Sequence, residues 1–146
     1  VDTPTRRSPL GLIQEDLRWE PWRLLVACMC LNQTSIRQVR PVIWTFFATW
    51  PEPEQAASAP QGEMAAMLQS LGLQNRRSGL IIRMSRAFLD WLPSQDVREL
   101  PGVGKYAADS YNTFIRGDLA EGATDKELMK YVSWALGVQS CTDEVS

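Results

Sequence analysis

Histidine is absent from all 146 residues, and this removes more chemistry than any other feature of the composition. Without an imidazole there is no His-based triad, no histidine zinc ligand and no histidine general base, so catalysis would fall to carboxylates, Lys, Tyr or Cys. Cysteine is scarce too. Cys28, Cys30 and Cys141 are too few and too unevenly placed for a disulfide framework, which fits a reducing, intracellular compartment. Cys28 and Cys30 lie two apart in a predicted helix and point to different sides, so they read as packing residues and no metal is expected. No apolar run approaches membrane-spanning length, and the N-terminus lacks the charged-then-apolar layout of a signal peptide, so no membrane partner is expected. There is no internal repeat and no convincing alternating strand, which leaves an all-α fold.

At this length, with 45% hydrophobic residues, the chain reads as one domain with a real core. The net charge of −2 argues against a protein that is basic all over, but the charges are not evenly spread. Arg76, Arg77, Arg83, Arg86 and Lys105 gather around one region, while Glu52, Glu54, Asp118, Glu121, Asp143 and Glu144 lie elsewhere. That pattern fits a basic face on an acidic body, and equally a solvated helix face.

Residues 1–8 read as a flexible lead-in, 9–137 as the folded domain and 138–146 as a C-terminal tail. A short helical approach ends near Trp19, and Pro21 suits the first turn of a buried helix carrying Trp22, Leu25, Val26, Met29 and Cys30 and ending at Asn32-Gln33-Thr34. Ser35 caps its successor, in which Pro41 predicts a kink or an offset start. Short helices are expected between Pro51 and Gln61 and over 63–70. A long amphipathic helix then runs from Asn75 until Pro93 stops it. A helix follows over 106–115, and the last runs from about Asp125 to Leu136, closed by Gly137.

The densest signal is ELPGVGKYAADSY, from Glu99 to Tyr111. The glycines of Leu100-Pro101-Gly102-Val103-Gly104 permit a turn whose amide N–H groups point outward together, and the turn opens onto a helix N-terminus at Lys105, a place suited to an anion. Taken alone, such a turn is equally an ordinary helix corner. Asp125, in ATDKELMKY, is by itself an N-cap of the last helix.

The hairpin segment resembles that of the helix-hairpin-helix DNA glycosylase superfamily, in which an L-P-G-V-G turn grips a DNA phosphate and an Asp on a later helix does the chemistry. Five blocks in order, SPLGLIQEDL, PWRLLVACMCLNQTS, LGLQNRR, LPGVGKYAADSY and TDKELMKYVSW, are similar to the methyl-CpG-binding-domain class of thymine DNA glycosylase, closest to its plant and algal versions. They cover about Ser8 to Leu136.

The resemblance implies a two-lobed helical fold with a DNA-facing cleft, and a nuclear, monomeric enzyme of base-excision repair acting on double-stranded DNA with a mismatch. Such an enzyme must extrude the nucleotide and fill the gap. Gln33 and Leu73 match the two wedge positions, and Gln14 the residue that reads the flipped pyrimidine. Leu100, Gly102, Val103, Gly104, Lys105, Arg76 and Arg77 are implied as DNA-backbone residues, Asp125 and Tyr106 as catalytic. Tyr106 stands where bifunctional relatives have a Schiff-base lysine, which implies a monofunctional enzyme. Asp125 would stabilise positive charge on the sugar and position or deprotonate water. Asp109, three residues past Tyr106, reads as structural. The chain departs from the superfamily in having Ala123-Thr124-Asp125-Lys126 where V-D-T-H is common, and only Cys141 where many members carry four cysteines for an iron-sulfur cluster. No cofactor is therefore expected. The remaining alternatives are a non-catalytic helix-hairpin-helix binding module and a sibling glycosylase with another target base.

Overall fold

A computed structural model describes the backbone of residues 1–145 and the side chains through 139. Among the described residues the fold is all-α: α1 (Ile13–Asp16), α2 (Pro21–Leu31), α3 (Ile36–Thr49), α4 (Pro53–Ala57), α5 (Gln61–Leu68), α6 (Gln74–Asp90), α7 (Lys105–Phe114) and α8 (Lys126–Val145). Short 3-10 turns at Gln69–Leu71 and Val97–Glu99 precede α6 and the glycine corner.

α2 is the axis of the molecule. Pro21 occupies its first turn, where a missing N–H costs nothing, and Trp22 and Leu24 through Cys30 are all buried. A helix apolar on every side needs neighbours all round. It finds them in α1, α3, α6 and α7. α4 and α5 back onto α6, completing one lobe. In the other, fully buried Tyr131 of α8 packs on Phe114 of α7 at 4.7 Å between ring centres.

Local chemistry sets the helix ends. Ser35 caps α3, accepting from the Gln38 N–H while Gln38 Oε1 reaches back. Pro41 lies inside α3 on its exposed side, so the carbonyl four residues earlier, deprived of its donor, faces water. Gly137 does not end α8, which continues to Val145. A glycine inside a helix costs only about 1 kcal/mol, too little to stop it unaided.

Residues 1–8, expected to be flexible, lie against the body. Thr3 N–H donates to the Gly117 carbonyl at 2.7 Å and Leu119 N–H to that of Val1 at 2.8 Å, around an isolated bridge between Asp2 and Asp118. Further on, the buried Glu15 carboxylate accepts from Ser8 N–H, Ser8 Oγ and Leu12 N–H at 2.6, 2.8 and 2.9 Å. Composition describes the segment as polar but does not reveal that its backbone groups have partners far along the chain.

Candidate functional site

Two cavities open beside the C-terminal end of α2, where the lobes meet. The first, about 410 Å³, is lined by Leu10 through Gln14, Leu31 through Ile36, Tyr106, Asp125 and Glu127. The second, about 360 Å³, lies between the α2 end, the start of α6 and the glycine corner, and includes Gln33, Leu73, Arg76, Gly102, Gly104 and Lys105. Tyr106 lines both.

Gln14, Tyr106 and Asp125 therefore share one cavity despite their separation in sequence. Gln14, on α1, is buried and donates from Nε2 to Tyr106 Oη at 2.7 Å and, more weakly, to Ser110 Oγ at 3.4 Å. Burial, reinforced by Cys28 and Asp125 nearby and only partly offset by bonds from Gln14 and Ser110, pushes the Tyr106 phenol above the usual tyrosine range. It remains a neutral donor at physiological pH. Asp125 caps α8 with Oδ2, which accepts from the Leu128 N–H at 3.0 Å. The cap fixes one carboxylate oxygen and leaves Oδ1 without a partner among the described residues.

The glycine corner turns as expected, with Gly102 in the left-handed region at φ +79°. Leu100 and Val103 anchor it with buried side chains. One expectation changes: the Val103 N–H closes the turn onto the Leu100 carbonyl at 3.2 Å and is not presented outward. Gly102 and Gly104 are both exposed, and the N–H of neither has a partner among the described residues. Lys105 is half exposed, its Nζ donating to Asp109 Oδ2 at 2.8 Å and to the Gly122 carbonyl at 2.9 Å. It thereby ties α7 to the loop that leads to Asp125 and pairs with Asp109 one turn along the helix.

Gln33 and Leu73 both line the second cavity, and Gln33 lines the first as well. Among the described residues they are the only non-glycines with positive φ, +63° and +52°, and both are exposed. Gln33 stands just beyond the end of α2, where glycine is the usual choice. Strain at exposed positions bordering a cavity points to use rather than packing.

Arg76 is exposed and has no partner among the described residues, but Arg77 is not a surface cation. It is buried, and its guanidinium donates to the carbonyls of Leu71 and Gly72 at 2.9 and 3.2 Å, to Thr34 Oγ1 at 2.7 Å and to the Asn32 carbonyl. The helix period contains this information, since Arg77, Ile81, Met84 and Phe88 fall on one stripe while Arg76 lies beside it. Ser110, fully buried between Gln14 and Cys28, was also missed in the sequence. Its place on the inward side of α7 was the available signal.

Residues 26–140 match the model of the HhH-GPD superfamily of base excision DNA repair proteins. The chain belongs to that superfamily. The HhH-GPD chain is 39% identical over 127 residues to a methyl-CpG-binding domain protein 4-like protein of Arabidopsis thaliana, covering 86% of this chain and 28% of that one. It is 30% identical over 137 residues to a thymine/uracil-DNA glycosylase of Pyrobaculum aerophilum, covering 87% and 59%. A thermostable thymine-DNA glycosylase structure shares the fold at a TM-score of 0.64 and 23% identity, over 81% of this chain and 52% of that one. The HhH-GPD chain thus spans between about a quarter and three-fifths of these relatives' length. Among its described residues no group of His, Cys, Asp or Glu is arranged to hold a metal ion, and no helix is long and apolar enough to cross a membrane.

Proposed function

We propose that this chain is the catalytic domain of a monofunctional DNA glycosylase that removes thymine or uracil opposite guanine by flipping the nucleotide and hydrolysing the N-glycosidic bond. The observation that carries the reading is the placement of Gln14, Tyr106 and Asp125 on one cavity, adjoining a glycine corner whose exposed Gly102 and Gly104 N–H groups have no partner among the described residues and flanked by two exposed residues at positive φ. The name of the Pyrobaculum relative, a thymine/uracil-DNA glycosylase, supports the choice of base.

Each part has a task. The Gly102 and Gly104 amides and the α7 N-terminus receive a phosphate. Gln33 and Leu73 enter the stack at a step already weakened by the mismatch, where unstacking costs only a few kcal/mol. The extruded base enters the larger cavity. Gln14 Nε2 is held by Tyr106, and no buried side-chain polar atom among the described residues lacks a partner, so the unbonded Oε1 must open to cavity space. An acceptor there suits the imide N–H of thymine or uracil, which cytosine lacks. As the base departs with the electron pair of the broken C–N bond, the Asp125 carboxylate stabilises the cationic sugar and receives the proton of the attacking water. Tyr106 is not an amine and forms no Schiff base, so the strand stays intact.

A single-turnover assay on G·T and G·U duplexes tests this. Release of free base with strand scission only after alkali is expected, as is loss of about 10²-fold or more in rate for Asp125→Asn. Asparagine caps a helix as well as aspartate does, so that variant keeps its fold. Full activity of Asp125→Asn would refute the assigned role, and DNA binding by the unmodified chain without base release from any mismatch would favour a non-catalytic binding module.

A further inference from the structure

The two wedge candidates belong to different loops, Gln33 between α2 and α3 and Leu73 ahead of α6, with Arg77 between them. Its guanidinium bonds to Asn32 and Thr34 on either side of Gln33, and to Leu71 and Gly72 immediately before Leu73. No carboxylate forms an ion pair with it among the described residues. Arginine supplies five donors in a rigid planar fork, and here one such fork is shared by the α2–α3 loop and the segment that leaves the 3-10 turn at Leu71.

Resting on the function proposed above, we infer that Arg77 is a positioning residue that holds Gln33 and Leu73 at a set separation, so that the two enter DNA as one unit. Both wedge residues sit at backbone angles their side chains disfavour, and each loop, if released, would relax toward ordinary φ. Arg77 opposes this by engaging the carbonyls next to both. Both terminal nitrogens of its guanidinium are taken up by acceptors of the chain itself.

The prediction separates geometry from charge. Arg77→Lys keeps the cation and loses the fork. Wedges engage only where a base is out of the stack, whereas the glycine corner and surface cations grip any duplex, so the informative quantity is the ratio of affinities for an abasic-site duplex and an intact duplex. For Arg77→Lys that ratio should fall about tenfold, equivalent to about 1.4 kcal/mol, with intact-duplex affinity unchanged and the protein still folded at the assay temperature. Thr34→Val, which removes only the side-chain acceptor, should shift the ratio the same way by less, and it supplies the test if Arg77→Lys does not fold. A wild-type ratio in folded Arg77→Lys, or in Thr34→Val where the lysine variant does not fold, would overturn the inference, provided Gln33→Ala and Leu73→Ala each lower it. If neither alanine variant lowers the ratio, the wedge assignment itself fails, and the proposed function with it.

Discussion

Replacing Gly102 and Gly104 separately with alanine should divide the stability of the glycine corner from its grip on DNA. Gly102 has φ +79°, where an alanine costs roughly 1–2 kcal/mol. Its added Cβ would lie 2.8 Å from Met29 Cε and 3.5 Å from Leu80. The methionine contact is with the end of a flexible side chain bordering a cavity of about 360 Å³, so it can move aside, and the backbone term dominates. Gly104 has φ −96°, and its Cβ would meet nothing within 4 Å. There the small loss of N-cap preference and the gain from a stiffer unfolded chain nearly cancel, leaving a change of about 0.5 kcal/mol or less. Thermal melting should therefore show Gly102→Ala lowered by about 3–8 °C and Gly104→Ala close to the parent. Duplex binding should weaken in both, because the open space in front of Gly104 is where the phosphate is proposed to sit. A Gly104→Ala variant that melts well below Gly102→Ala would refute the conformational argument, and undiminished DNA affinity in Gly104→Ala would refute the placement of the phosphate.

Tyr106→Phe keeps the ring and removes the hydroxyl that holds Gln14. The protein should stay folded while base release slows about tenfold, the worth of one buried hydrogen bond, and an unchanged single-turnover rate would remove the pair from the mechanism. Cys28 and Cys30 are pushed by burial from 9.0 to about 12. Folded thiols thus stay protonated where unfolded ones ionise, so stability is fully present below pH 9 and falls as pH rises from 9 toward 12. At pH 10 the two thiols together would cost about 3 kcal/mol relative to neutral pH, read as a lower melting temperature that Cys28→Ala combined with Cys30→Ala makes less pH-dependent.

Much of this was written in the chain. The helix order, the Ser35 cap and the glycine corner follow from local chemistry, and the α2 burial from its uninterrupted apolar character. What escaped was non-local or ran against propensity. No pattern announces that Gln14 will meet Tyr106, ninety-two residues away. A leucine at φ +52° contradicts what its side chain prefers, and only the surrounding loops impose it. Arg77, which composition groups with Arg76 on a basic face, lies on the buried stripe that helical phase marks out. The backbone bonds that join Val1 and Thr3 to Leu119 and Gly117 and the run of α8 past Gly137 are not legible locally, because prolines and a glycine weaken local order without forbidding it.

α7 begins at the corner and carries Tyr106 within its first turn, so the proposed distance from captured phosphate to reacting nucleotide is set by two residues of covalent backbone. Such a device works like a ruler with one graduation. Inserting a single alanine after Lys105 would turn the ring by about 100° around the helix axis, out of the wall it shares between the two cavities, while the phosphate cradle ahead of it stayed whole. A protein altered in that way should hold DNA and have no means of acting on it.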